Sequence, residues 1–213
     1  MADGLRLKNV ELSHRDGRPL VSVDAQIAPG QVLSLMGPSG VGKSTILSAI
    51  IGTLPPAFRC TGEIVLNGRA LAGLPPQKRK VGILFQDHLL FPHLSVGQNV
   101  GFGLPRGIKD RRGRVAAALA EIGLEGFADR DPDTLSGGQR ARVALMRMLL
   151  AEPEALLLDE PFSRLDADLR GRMRELVFER ARSASLPVLM VTHDREDAEA
   201  ARGTTIELTT PCA

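Results

Sequence analysis

The stretch QVLSLMGPSGVGKSTILSAII, residues 31–51, constrains the fold more than any other part of the chain. Its first six residues are short and mostly apolar and read as a strand. Residues 37–44 then fit G-x-x-x-x-G-K-[ST], and Ile46, Leu47, Ile50 and Ile51 fall on one face of a following helix. Strand, glycine-rich turn and helix in that order make a loop whose backbone N–H groups wrap around phosphate. Gly37, Gly40 and Gly42 let the chain bend until successive amides face one anion. Pro38, Ser39 and Val41 fill the loop between them. Lys43 adds a mobile point charge for the β- and γ-phosphates. The Ser44 hydroxyl is a hard oxygen ligand for Mg²⁺, and Thr45 closes the motif. The stretch predicts a nucleoside triphosphate site with Mg²⁺.

The rest of the chain alternates strands and helices, which predicts an α/β fold. Val21, Val23, Ala25 and Ile27 alternate with polar residues as in a half-buried strand, and APG at 28–30 turns the chain. VGILF at 81–85, ALLLD at 155–159 and PVLMV at 187–191 read as buried parallel strands. Between 87 and 140 the pattern changes. FPHLSVGQNVGFG and RVAAALAEIG read as helices joined by the Gly/Arg-rich link PRGIKDRRGR. We expect one domain over 1–213, with a nucleotide-binding core at 1–86 and 141–213 and an inserted helical lobe at 87–140. The stripe Met146, Met148, Leu149, Leu150 reads as core helix, and His88 and His93 as lobe-surface residues.

Composition excludes several classes. A length of 213 residues, 43% of them apolar, suits one compact domain with a sizeable core. A net charge of +2 argues against a protein that coats nucleic acid. The basic link at 106–114 has no interleaved aromatic residues and reads as a solvated loop. No apolar run approaches the ~20 residues that cross a bilayer, and MADGLRLKNV lacks the apolar segment of a secretory signal. Cys60 and Cys212 have neither metal-ligand nor redox spacing and read as reduced thiols in a cytosolic protein.

Two further stretches carry chemistry. In ALLLDEP, residues 155–161, two carboxylates follow a buried strand directly. Unpaired carboxylates are costly to bury, so a strand tip facing a cation is a natural place for them. Asp159 is expected to hold Mg²⁺, and Glu160 to orient and deprotonate an attacking water. In TLSGGQRAR, residues 134–142, Ser136, Gly137 and Gly138 stand where a helix begins. A hydroxyl and open amides there make a second anion site. Alternatively, they only cap the helix.

With LSGGQ at 135–139 the chain resembles the ATP-binding subunit of an ABC transporter over essentially its full length. Gln86 in LFQD matches that family's Q-loop. SRLD at 163–166, ending in Asp166, matches its D-loop, although Arg164 replaces the usual small residue. His193 in VTHD matches its switch histidine. The resemblance implies a P-loop NTPase core with a parallel sheet, an N-terminal antiparallel β subdomain and an inserted α-helical subdomain. It implies that two subunits pair head to tail around two ATP. Each ATP lies between the P-loop of one and Ser136, Gly137, Gly138 and Gln139 of the other, with Asp166 nearby. Gln86 then reaches Mg²⁺ and the attacking water, and His193 senses the γ-phosphate; alone, His193 reads as a hydrogen-bonding core residue. Family members stack the adenine on an aromatic side chain, but this chain has no Tyr or Trp. His14 in LSHRDG falls at that position, unless it is only a solvated strand-end residue.

GILFQDHLLFPHLSVGQNV further resembles bacterial importer ATPases for thiamine, iron, sulfate or polyamines. The chain ends soon after TTIEL, without room for the regulatory domain of sugar-importer ATPases. We therefore expect an importer ATPase, peripheral on the cytoplasmic face of the inner membrane. It would drive two separate transmembrane permease subunits that dock beside Gln86, be served indirectly by a periplasmic substrate-binding protein, and have no nucleic-acid partner. Alternatives are an export or lipoprotein-release ATPase, a non-transport ABC ATPase, and a nucleotide sensor without turnover.

Overall fold

Apolar strands and one-sided helices must bury those faces against each other, and the chain does so with two sheets. The computed structural model describes residues 3–87 and 89–209. In chain order they form β1 (Leu5–His14), β2 (Pro19–Ile27), β3 (Val32–Met36), α1 (Lys43–Ile51), β4 (Phe58–Leu66), β5 (Arg69–Ala70), α2 (Pro76–Arg79) and β6 (Val81–Leu84). Then follow α3 (Val96–Phe102), α4 (Arg111–Glu121), α5 (Gly137–Leu149), β7 (Ala155–Asp159), α6 (Ala167–Ser183), β8 (Val188–Val191), α7 (Arg195–Ala201) and β9 (Thr204–Glu207). One sheet, in the order β2-β1-β4-β5, is antiparallel where β1 meets β2 and β4. The other runs β6-β7-β8-β3-β9, with β7, β8, β3 and β9 parallel. No helix among the described residues is long and apolar enough to cross a membrane.

Packing divides the chain into two compact units. The first takes the described residues up to Ile83, Glu154–Glu160 and those from Val177 onward; the second takes those within Leu84–Pro153 and Pro161–Leu176. In the first unit, α1 lays Ile46, Leu47, Ile50 and Ile51 into a cluster with Leu5, Leu7 and Leu12 of β1 and Leu157 of β7. Each such buried side chain contributes about 1.5–3 kcal/mol. Arg79 closes the far end of α1, its Nη1 donating to the carbonyls of Ala49 and Ile50 at 2.9 and 2.7 Å. β7 and β8 are fully buried, as their apolar runs predict, whereas β6 stands at the sheet edge and is only half covered.

In the second unit the sequence places helix over 91–103 and draws the lobe at 87–140. The structure differs on both points. Residues 91–95 form a turn around the fully buried Asn99, whose Nδ2 donates to the carbonyls of Phe91, Leu94 and Ser95, each at 3.1 Å. Ser95 then caps α3, so the helix starts at Val96. By packing, α5 and the first part of α6 belong with α3 and α4. The ties are Arg142 Nη1 to the Ile122 carbonyl at 2.6 Å and Arg147 Nη2 to the Leu89 carbonyl at 2.6 Å. In the core stripe Met146 and Met148 are buried, but Leu149 and Leu150 only half so. Part of the basic link is the first turn of α4, where Arg111 Nη1 donates to Pro105 O at 3.3 Å. His93 is exposed; His88 and Cys212 lie outside the described residues.

Candidate active site

Parallel strands in register end together, and ligands of such sheets bind at their carboxyl ends. Leu35 pairs with Val191, and Val191 with Asp159. The three strand ends therefore bring Gly37, Asp159, Glu160 and His193 to one edge. The glycine-rich loop leaves β3 there and turns into α1. Gly42, its last residue before the helix, has φ +105, and a Cβ on it would meet Val21 Cγ1 at 2.8 Å. Only glycine fits that turn. Lys43 is 9% exposed, and its Nζ reaches back across the loop to the carbonyls of Gly37 and Pro38 at 2.6 and 2.9 Å. Ser39 and Gly40 form the exposed crest of the loop; Val41 is buried beneath it. A cleft of about 530 Å³ opens beside Gly37 and Pro38, with His193 and Arg195 on its wall.

Asp159 is 8% exposed. Burial pushes its carboxyl above the ordinary value and the charge of Glu160 adds to this, while a hydrogen bond from the Ser44 hydroxyl and the charge of Lys43 oppose it. A buried carboxylate joined to a loop hydroxyl is a pair of hard oxygens, the donor set that suits Mg²⁺. Among the described residues no cluster of three or more His, Cys, Asp or Glu could hold a metal alone.

Glu160 has φ +48, unusual for a residue with a side chain. Such strain costs on the order of 1–3 kcal/mol and gathers at functional sites. The Glu160 N–H donates to the Val191 carbonyl at 2.9 Å, which holds the turn. Its Oε1 lies 3.1 Å from Nδ1 of His193, with the glutamate side chain 20% and the histidine 65% exposed. A mostly covered carboxylate beside an imidazole at a strand tip can take a proton from water. His14, at the end of β1, is half-buried and lies against the Phe58 ring, a neighbour that no local sequence signal announces.

The second unit carries the remaining predicted residues. Ser136 caps α5: its Oγ accepts from the Gln139 N–H at 3.3 Å, and Gln139 Oε1 accepts from the Ser136 N–H at 2.9 Å. Helix geometry leaves the N–H groups of Gly137 and Gly138 without an intrahelical acceptor. Asp166 caps α6, accepting from the Leu169 N–H at 3.0 Å. Gln86 follows β6 and is exposed. Two features escaped the sequence. Asp87, beside Gln86, accepts from Arg164 Nη2 at 2.7 Å. Arg147 lies over the Phe91 ring at 4.7 Å. The capping box was legible, since SVGQ at 95–98 and SGGQ at 136–139 both read S-x-x-Q.

A glycine-rich loop between a parallel strand and a helix, with two carboxylates at the tip of the next strand but one, is the pattern of a P-loop nucleotide-binding protein. Residues 20–163 match the family model of the ABC transporter. The chain belongs to that family, as one of its ATP-hydrolysing subunits. It is 52% identical to the uncharacterized ABC transporter ATP-binding protein YnjD of Escherichia coli, over 92% of this chain and 91% of that one. It is 44% identical to the thiamine import ATP-binding protein ThiQ of Photobacterium profundum, covering 87% of this chain and 77% of the relative. With the spermidine/putrescine import ATP-binding protein PotA of Oleidesulfovibrio alaskensis the identity is 43%, and the chain spans about half, 52%, of that relative's length. Among solved structures it resembles the dimeric post-hydrolysis ATP-binding cassette MJ0796 bound to ADP and Pi. The TM-score is 0.83 at 32% identity, over 96% of this chain and 94% of that one.

Proposed function

We propose that the chain is the energy-coupling subunit of a bacterial importer, working at the cytoplasmic face of the inner membrane on two separate permease subunits. A periplasmic substrate-binding protein would serve the complex without touching this chain. Two copies pair head to tail around two ATP. In each copy Lys43 and the amides of residues 37–45 bind the phosphates, and Ser44 and Asp159 hold Mg²⁺, with Gln86 as a further ligand. When bound, Mg²⁺ neutralises charge that develops on the phosphates. Glu160 takes the proton of the attacking water, and His193 keeps the Glu160 carboxylate turned toward it. Ser136, Gly137, Gly138 and Gln139, with Asp166 nearby, face the γ-phosphate of the partner's ATP. That contact lasts only as long as the γ-phosphate, so ATP binds the closed pair better than the open one. Only such differential affinity shifts an equilibrium. The import-ATPase names of the thiamine and polyamine relatives support import over export.

The observation that carries the hydrolytic part of this reading is the 3.1 Å contact between Glu160 and His193 at the strand edge that also bears the glycine-rich loop. We expect Glu160→Gln to keep ATP binding, lower steady-state hydrolysis by about 10²–10⁴-fold and leave an ATP-held dimer. Hydrolysis assays and sedimentation with ATP test it; turnover within about threefold of the native protein removes Glu160 from the role of base.

A further inference from the structure

Phe58 lies outside both the phosphate cradle and the Glu160–His193 pair. It opens β4, and the antiparallel register sets it directly across from His14. The ring centroids are 5.1 Å apart and the planes tilt by 47°. Both side chains are half-exposed, so the pair presents ring surface that the core does not consume.

Its position follows from the strands. Leu12 and Cys60, two residues inward on each strand, face the cluster that contains Ile46, Leu47 and Ile50 of α1. Side chains two apart on a strand share a face, so His14 and Phe58 stand on the side of the sheet that looks toward α1. The hairpin decides which end of α1 they are near. Ser13 pairs with Pro19, and the next two residues, Leu20 and Val21, press on Gly42 at the start of α1. The ring pair therefore stands at the phosphate-loop end of that helix. Arg15 fastens the neighbouring loop, its N–H donating to the Ala57 carbonyl at 3.0 Å and its Nε to that of Pro56.

A purine offers two broad faces, and an imidazole alone covers little of one. We infer that Phe58 is a second base-stacking residue, which with His14 forms a two-ring platform for the purine of a bound nucleoside triphosphate. The inference rests on the nucleotide site proposed above. Rings on a base face read its area, not its edge, so the platform favours purines without separating ATP from GTP.

Titration calorimetry on the Glu160→Gln protein with Mg²⁺ tests it, using ATP, GTP and inorganic tripolyphosphate as ligands. Phe58→Leu keeps apolar bulk and removes the ring; Phe58→Tyr keeps the ring. We expect Phe58→Leu to weaken ATP and GTP by about three- to tenfold, a part of what full base stacking contributes, while tripolyphosphate changes by less than about twofold. Phe58→Tyr should bind both nucleotides as the parent does. Unchanged ATP affinity in Phe58→Leu overturns the inference. So does an equal loss for ATP and tripolyphosphate, which marks a packing defect. A parent protein that binds ATP no better than tripolyphosphate has no base platform, and the phosphate site stands without it. A parent that binds neither overturns the nucleotide site itself.

Discussion

Two helices begin at glycine-rich turns, and they begin in different ways. α1 follows Gly42 with no side-chain cap, and Lys43 adds a charge at its first position. α5 follows Ser136 and closes its own end with a reciprocal box. The first end has no side chain that accepts from its amides; the second meets part of that need within its own first turn. α3 in the same unit as α5 carries the same box, Ser95 with Gln98, so the box alone marks no ligand site. The glycines separate them. In α3, Gly97 is demanded by packing, since a Cβ there would meet the Ala128 carbonyl at 3.0 Å. At Gly137 φ is not positive, and a Cβ would meet nothing within 4 Å. Glycine within a helix costs roughly 0.5–1 kcal/mol relative to alanine. A cost with no benefit inside the chain points to close approach from outside it.

If the two ends serve ATP in different subunits, they break apart under mutation. Lys43→Ala removes a charged donor worth about 1.5–3 kcal/mol, so ATP binding by the isolated subunit should fall by roughly 10–100-fold. Ser136→Arg should leave that affinity within about twofold, yet abolish the ATP-held dimer on the Glu160→Gln background. Calorimetry and sedimentation read the two effects. Mixing the two variants, each inactive alone, should restore part of the hydrolysis through one intact composite site. Loss of monomer binding in Ser136→Arg would put both ends on the same ATP and collapse the distinction.

The two ends were not equally legible. The glycine-rich turn between β3 and α1 was readable because its pattern is local: glycines, lysine and hydroxyl all lie between a strand and a helix. β7 and β8 were readable because strands buried on both faces admit few polar residues. The start of α3 was misplaced because Asn99, inside the helix, folds the preceding turn around its own amide; pattern alone cannot anticipate that. The reach of the second unit past residue 140 was missed for a related reason. It depends on arginines of α5 reaching carbonyls far off in the chain. The pairing of His14 with Phe58 depends on strand register, which no short motif encodes.

Alanine at two glycines sharpens the contrast at smaller amplitude, with opposite signs. Gly137→Ala should raise stability by about 0.5–1 kcal/mol, a gain of roughly 1–4 °C in Tm for a chain of this size. Hydrolysis should fall despite the firmer fold, because the added methyl occupies the approach to the helix end. Gly42→Ala should lower Tm, since it forces a side chain into φ +105 against Val21. Thermal melts with parallel hydrolysis assays decide the matter. Full activity in the stabilised Gly137→Ala protein would return Ser136–Gly138 to the role of a simple cap.

The smallest effect should come from the exposed pair of Arg164 and Asp87. In the first unit Glu160 is mostly covered and sits 3.1 Å from His193. In the second, Arg164 and Asp87 meet at 2.7 Å with side chains 47% and 77% exposed. The tie joins the loop after Gln86 to the loop that ends at Asp166. Water screens it, and holding two long side chains costs entropy, so exposed pairs of this kind contribute about 0.2–1 kcal/mol. Arg164→Ala should therefore shift Tm by no more than about 4 °C and change hydrolysis by less than about threefold at ~0.15 M salt. Asp87→Arg should do more, because it sets two like charges side by side. The exchange Asp87→Arg with Arg164→Asp should recover most of that loss. Melts of the single and double variants at low and high salt give the coupling directly. A coupling above about 2 kcal/mol that survives high salt would mean that this exposed tie is as firm as a buried pair. Arg164 would then be a structural strut between the two loops.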